Sequence, residues 1–123
     1  MNTFSWLLVG HLVGDWLLQN DWMARGKRQG LFTWAGVAHF AVYTAAIMSL
    51  LWLFDEGLRS PLFYLRVSLI VFISHWLIDA TRIVEGWMQF YHQGQDNEMV
   101  RVVVDQTLHL LVLAVLAVVF LVG

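Results

Sequence analysis

The alternation of apolar and polar stretches divides the chain into four long hydrophobic runs joined by short polar connections. The first run covers about 3–19 and is broken by Gly10 and Gly14, small residues that let a neighbouring helix come close. A polar loop over 20–30 follows, carrying Arg25, Lys27 and Arg28. The second run, about 31–54, contains no formal charge. Asp55-Glu56-Gly57 and Ser60-Pro61 then read as a tight acidic turn, with Pro61 suited to the first position of a new helix. The third run spans about 62–79.

After the third run, 82–91 reads as a short interfacial helix. Ile83, Trp87, Phe90 and Tyr91 fall on one face, while Arg82, Glu85 and Gln89 fall largely on another. Residues 92–98 are polar and predict a loop, in which Asp96-Asn97-Glu98 is suited to cap the next helix. The last run covers about 99–122. The expected fold is therefore all-α: a single domain over 1–123, built as a four-helix transmembrane bundle with a short interfacial helix after the third span.

Composition strengthens this picture. The chain is 59% hydrophobic and only 13% charged, where a soluble domain carries about a quarter charged residues. The runs approach or exceed the roughly 20 residues that cross a bilayer core. A net charge of -2 gives no basic footprint for nucleic acid, so no nucleic-acid partner is expected. The absence of cysteine excludes disulfides and Cys-based metal sites. The opening MNTFSWLLVGHLVGDW has no basic start and carries His11 and Asp15 within its apolar run, so it reads as a retained first helix and not a signal peptide.

Lys and Arg in short loops set the expected orientation. They gather in the connections after the first and third runs, as Arg25, Lys27 and Arg28 and as Arg82 and Arg101. The connection after the second run has Arg59, with Arg66 just inside the next helix. Connections 20–30 and 80–98 are thus expected on the cytoplasmic side of a bacterial inner membrane, with both termini outside. Trp16, Trp22, Trp34, Trp76 and Trp87 fall near one proposed interface and Trp6 and Trp52 near the other, where indoles prefer to sit.

Against this background the ionisable residues inside the runs stand out. Each costs roughly 2.5–3.5 kcal/mol at a helix centre on insertion scales. His11 and Asp15 lie in the first run, His39 in the second, His75 and Asp79 in the third, and Asp105 and His109 in the fourth. His11/Asp15, His75/Asp79 and Asp105/His109 are i,i+4 pairs, a spacing that puts both side chains on one helix face. Alternating up-and-down runs bring all of them to one level, the aspartates near the proposed cytoplasmic interface and the histidines one to two turns deeper.

Imidazole and carboxylate suit a divalent metal, zinc first, with manganese or iron as alternatives. His11, Asp15, His39, His75, Asp79, Asp105 and His109 are the expected metal ligands, more than one zinc uses. The surplus serves either a second metal or the orientation of the first-bound histidines. Asp15, Asp79 and Asp105 are the candidate catalytic carboxylates, and Gln19, Asp21 and Gln106 are expected around the ligands.

The run His11-Leu-Val-Gly-Asp15-Trp-Leu-Leu-Gln19-Asn-Asp21-Trp22-Met23-Ala24 resembles a bacterial membrane family, the domain of unknown function numbered 3307. His75-Trp-Leu-Ile-Asp79 and Asp105-Gln106-Thr-Leu-His109 are similar to that family's later motifs and occur in the same order. Asn20 stands where the family's pattern has Thr. The resemblance implies a multi-helix inner-membrane protein and supplies no activity. More distantly, the His/Asp helical pairs are similar to small membrane-bound metal-dependent hydrolases.

The functional expectation is a metal-dependent hydrolase acting on a lipid or lipid-linked substrate, in contact with membrane lipids. The alternatives are a proton or ion transport module using the same residues, which favours a homo-oligomer, and a non-catalytic membrane anchor or signalling subunit.

Overall fold

The computed structural model describes residues 1–54, 59–94 and 96–120, and every regular element among them is helical. The expected Asp55-Glu56-Gly57 turn and residues 121–122 of the last run lie outside the described residues.

The helix starts follow local capping chemistry. Helix α1 (Thr3–Leu12) begins where the Asn2 side chain accepts from the Ser5 N–H. A π-helical turn, Val13–Leu17, continues it, with the Leu18 N–H reaching back five residues to the Val13 carbonyl. Asn20 caps the short α2 (Asp21–Gly26) through the Met23 N–H. Helix α3 is Trp34–Phe54. Helix α4 (Pro61–Ala80) starts at a Ser60 cap with Pro61 in its first turn, as the sequence predicts. Helix α5 is Ile83–Phe90 and α6 is Glu98–Phe120, whose first N–H groups are taken by Asn97.

Helices α3, α4 and α6 are each long and apolar enough to cross a membrane. The first run differs from expectation, because its helix ends at Leu17 and measures only about 22 Å at 1.5 Å per residue. Helices α1, α3, α4 and α6 pack as a closed ring, α1 against α3, α3 against α4, α4 against α6, and α6 back against α1.

One half of the ring is filled by an apolar core of Leu7, Tyr43, Ile47, Leu51, Val67, Val71, Leu113, Leu116 and Ala117. Gly10 and Gly14 do allow a close approach, and the neighbour is α3 of the same chain. A Cβ at Gly14 would stand 2.9 Å from the Tyr43 Cα. Helix α5 buries Val84 and Met88 beside Val100 and Val104 of α6, and leaves Ile83, Trp87, Phe90 and Tyr91 exposed. Leu62, Leu65, Leu69, Ile73 and Leu77 form an exposed stripe along α4, the kind of surface a lipid solvent covers.

Candidate metal centre

The other half of the ring is polar. Helix α3 contributes His39 from its second turn, α4 contributes His75 and Asp79 from its last two turns, and the π turn contributes Asp15. All four are buried. The wide π turn holds both Gly14 and Asp15 inward, so the close packing on Tyr43 and the delivery of Asp15 are one feature.

His39 Nε2 lies 3.1 Å from Asp15 Oδ1, 3.0 Å from His75 Nε2 and 3.4 Å from Asp79 Oδ2. His75 Nε2 lies 2.9 Å from Asp79 Oδ2 and 3.6 Å from Asp15 Oδ1. Four ligand atoms from three segments thus converge on one point. A tetrahedral metal at about 2.0–2.1 Å separates its ligands by roughly 3.3–3.4 Å, which is the scale of these separations. Two imidazole nitrogens 3.0 Å apart can share at most one proton, and a metal ion satisfies both lone pairs. Among the described residues the Nδ1 atoms of His39 and His75 have no hydrogen-bond partner, so none of these holds either ring by the second hydrogen bond that usually orients a zinc histidine.

His11 is turned to another task. Its Nδ1 lies 3.0 Å from the Tyr43 hydroxyl and its Nε2 2.7 Å from Gln106 Oε1, so both ring nitrogens are engaged outside the four-atom group. The Gln106 amide donates to Asp15 Oδ2 at 2.9 Å and to Asp105 Oδ2 at 3.0 Å, tying α6 to the π turn. Asp15, Asp105 and His109 form a second group of converging ligand atoms. Gln19 borders the same cleft as Asp15, with its buried Oε1 unpartnered among the described residues. Asp21 is not brought to the cluster. It is exposed at the first residue of α2, where a carboxylate faces the positive end of the helix dipole.

The sequence reading missed Lys27, which it treated only as a loop charge. Its ammonium lies 2.8 Å from Asp79 Oδ2, 3.6 Å from Asp15 Oδ1 and 3.5 Å from His39 Nε2. Burial alone would lower its pKa, but Asp79 and then Asp15 outweigh that and hold it above the ordinary 10.5. The preceding Gly26 explains the placement. A Cβ there would meet the Ala35 Cβ at 2.2 Å, so only glycine lets this backbone lie against the start of α3. Thr33 locks the approach by donating to the Gly26 carbonyl at 2.6 Å while accepting from the Gly36 N–H at 3.0 Å. One signal was available: Lys27 is the chain's only lysine and directly follows a glycine. Tyr43 was missed as well, since a tyrosine in an apolar run reads as core.

A cleft of about 170 Å³ adjoins the cluster, with Asp15, Lys27, Asp79, Asp105 and Gln106 on its inner side and Arg28, Glu85 and Arg101 among its other walls. The family model described as "Protein of unknown function (DUF3307)" matches residues 3–123. The chain belongs to that family. No curated protein and no solved structure matches it. For a DUF3307 chain, function is therefore argued from the site, where a buried His/Asp group that can hold a metal ion lies within a bundle of membrane-length helices.

Proposed function

We propose that this protein is a four-span inner-membrane protein that binds one divalent metal, zinc first, on Asp15, His39, His75 and Asp79 and hydrolyses a lipid or lipid-linked substrate. The observation that carries the reading is the convergence of those four buried ligand atoms within 4.8 Å of one another, the two histidine nitrogens lying 2.9–3.6 Å from each other and from both carboxylates. Charge supports it. Asp15, Asp79 and Asp105 against Lys27 leave two negative charges in a poorly solvated interior, the amount that one divalent ion neutralises.

A metal held by these four residues would need a fifth position, or the release of one carboxylate, to polarise an ester or phosphoryl oxygen and acidify a water. Asp105, on the cleft wall and 15% exposed, is placed to accept the proton. Lys27 is placed to stabilise negative charge developing beside Asp79. Helix α1 serves as the fourth span, and the connections 20–30 and 80–98 lie on the cytoplasmic side, where the cleft meets the headgroups.

The test is metal analysis of untagged protein purified in mild detergent without chelator, beside a His39→Ala/His75→Ala variant, followed by a lipid-hydrolysis screen. About one equivalent of zinc, manganese or iron in the wild type, lost in a folded variant, supports the site. Metal-free protein that stays empty after soaking removes the reading.

A proton or ion relay is the second reading, favoured by one observation: Lys27 already places a cation against three of the four ligand atoms. It predicts ion flux in proteoliposomes that Asp79→Asn abolishes, with no bound metal.

A further inference from the structure

The geometry points to a second divalent-cation site, made by His109, Asp105 and the outer oxygen of Asp79, so that Asp79 bridges two ions. This inference rests on the metal reading above, adds an ion to it and moves Asp105 from proton acceptor to ligand.

His109 Nδ1 lies 2.8 Å from the Asp105 backbone carbonyl. A carbonyl oxygen only accepts, so Nδ1 carries a proton, and in the neutral ring Nε2 presents a bare lone pair. That atom is buried without a hydrogen-bond partner among the described residues, on a residue only 2% exposed. It faces Asp79 Oδ1 at 3.4 Å, and this oxygen also lacks a hydrogen bond among them. With the ring neutral, two acceptors face each other in a buried space with no donor to either among the described residues, an arrangement that costs free energy until a cation lies between them.

The rest of the surroundings fit a metal. A ring held at Nδ1 by a backbone carbonyl and free at Nε2 is the usual posture of a metal histidine. Asp105 and Asp15 each bring a carboxylate atom within 4.8 Å of a His109 ring nitrogen, Asp105 Oδ2 lying 3.7 Å from Nδ1. Asp79 has divided its oxygens, Oδ2 towards His75 and Lys27 and Oδ1 towards His109. One carboxylate spanning two metals is the geometry of hydrolytic two-metal sites. The charge count orders the ions. The first neutralises the cluster, and the second adds charge that anions entering the cleft must balance, so it binds more weakly. The competing arrangement is a second proton on His109, which would donate to Asp79 Oδ1 and leave no room for an ion.

Zinc titration of the detergent-solubilised full chain by equilibrium dialysis separates these cases. Two equivalents bind to the wild type, the second more weakly, and one is lost in His109→Ala and in Asp105→Asn while the other is retained. Manganese in place of zinc gives an exchange-coupled paramagnetic signal in the wild type and an isolated-ion signal in both variants. If His109→Ala fails to fold, Asp105→Asn decides, because it keeps the shape and the oxygen that accepts from Gln106. One equivalent in the wild type, unchanged in the variants, overturns the second site and leaves the first intact. No equivalents in any sample overturns both readings.

Discussion

Lys27 couples the polar cluster to the loop that closes it. Its ammonium is the cationic partner of two buried carboxylates, and removing one partner of such a pair costs about 3–5 kcal/mol. Lys27→Met should therefore lower the melting temperature of metal-free protein. The same change removes a cation standing 2.8–3.6 Å from three proposed ligand atoms, so added zinc should raise the melting temperature of Lys27→Met more than that of the wild type. Equal zinc shifts in the two proteins would mean that the ammonium charge does not oppose metal binding. The pH dependence has a definite sign. A lysine pKa raised on folding contributes stability fully below the unfolded value of 10.5, and that contribution is lost as pH climbs through the raised folded value. Melts across this alkaline window should show a fall in the wild type that Lys27→Met lacks. Neither the ion pair nor its alkaline signature is visible in the local sequence, because a basic residue between two apolar runs looks the same whether it faces water or folds inward.

At the scale of elements, two glycine contacts decide where the polar groups arrive. Gly14→Ala would put a methyl 2.9 Å from the Tyr43 Cα, a backbone atom that cannot swing aside. Overpacking of this kind costs about 1–3 kcal/mol, and here it also pushes the π turn and Asp15 away from His39. The variant should lose thermal stability and zinc affinity together, as read by melting and dialysis. Unchanged affinity with lowered stability would separate packing from site assembly. The starts of α4 and α6 and the shared faces of the i,i+4 His/Asp pairs were legible beforehand, since Pro61, Asn97 and that spacing act through local geometry, whereas helix α2 inside the expected loop 20–30 was not. The π turn was not, because it inserts a residue into the helical register without a distinctive residue type. That register change is one reason His11 and Asp15, expected to work side by side, share Gln106 but otherwise have different partners: Tyr43 for the first, His39 and Lys27 for the second. Gln106 was expected around the ligands, but its reach to His11, Asp15 and Asp105 depends on how α6 leans on α1, which no single stretch encodes.

For the whole molecule, the open quantity is how the ring of helices sits in a bilayer. Helices α3, α4 and α6 have the length and hydropathy to cross, whereas the helix from Thr3 to Leu17 is about 8 Å short of a 30 Å hydrocarbon core. Its packing favours crossing all the same. Leu7 is fully buried in the apolar core, and Trp6 stacks on Phe54 with ring centroids 3.9 Å apart, so the start of α1 lies level with the end of α3. A short span is accommodated by local thinning of the bilayer, at fractions of a kcal/mol per Å of mismatch. The chain has no cysteine, so single cysteines can be read without removing native ones. A cysteine inserted after Met1 and, separately, Gln29→Cys should react with a membrane-impermeant maleimide from opposite sides of inverted and right-side-out vesicles. The Gln29 position should label from the cytoplasmic side, where Arg25, Lys27 and Arg28 are retained by the positive-inside rule. Labelling of both from one side would mean that α1 re-enters without crossing. The ring would then hold three true spans and one hairpin element, and the polar cleft would open on the side where the first residues emerge.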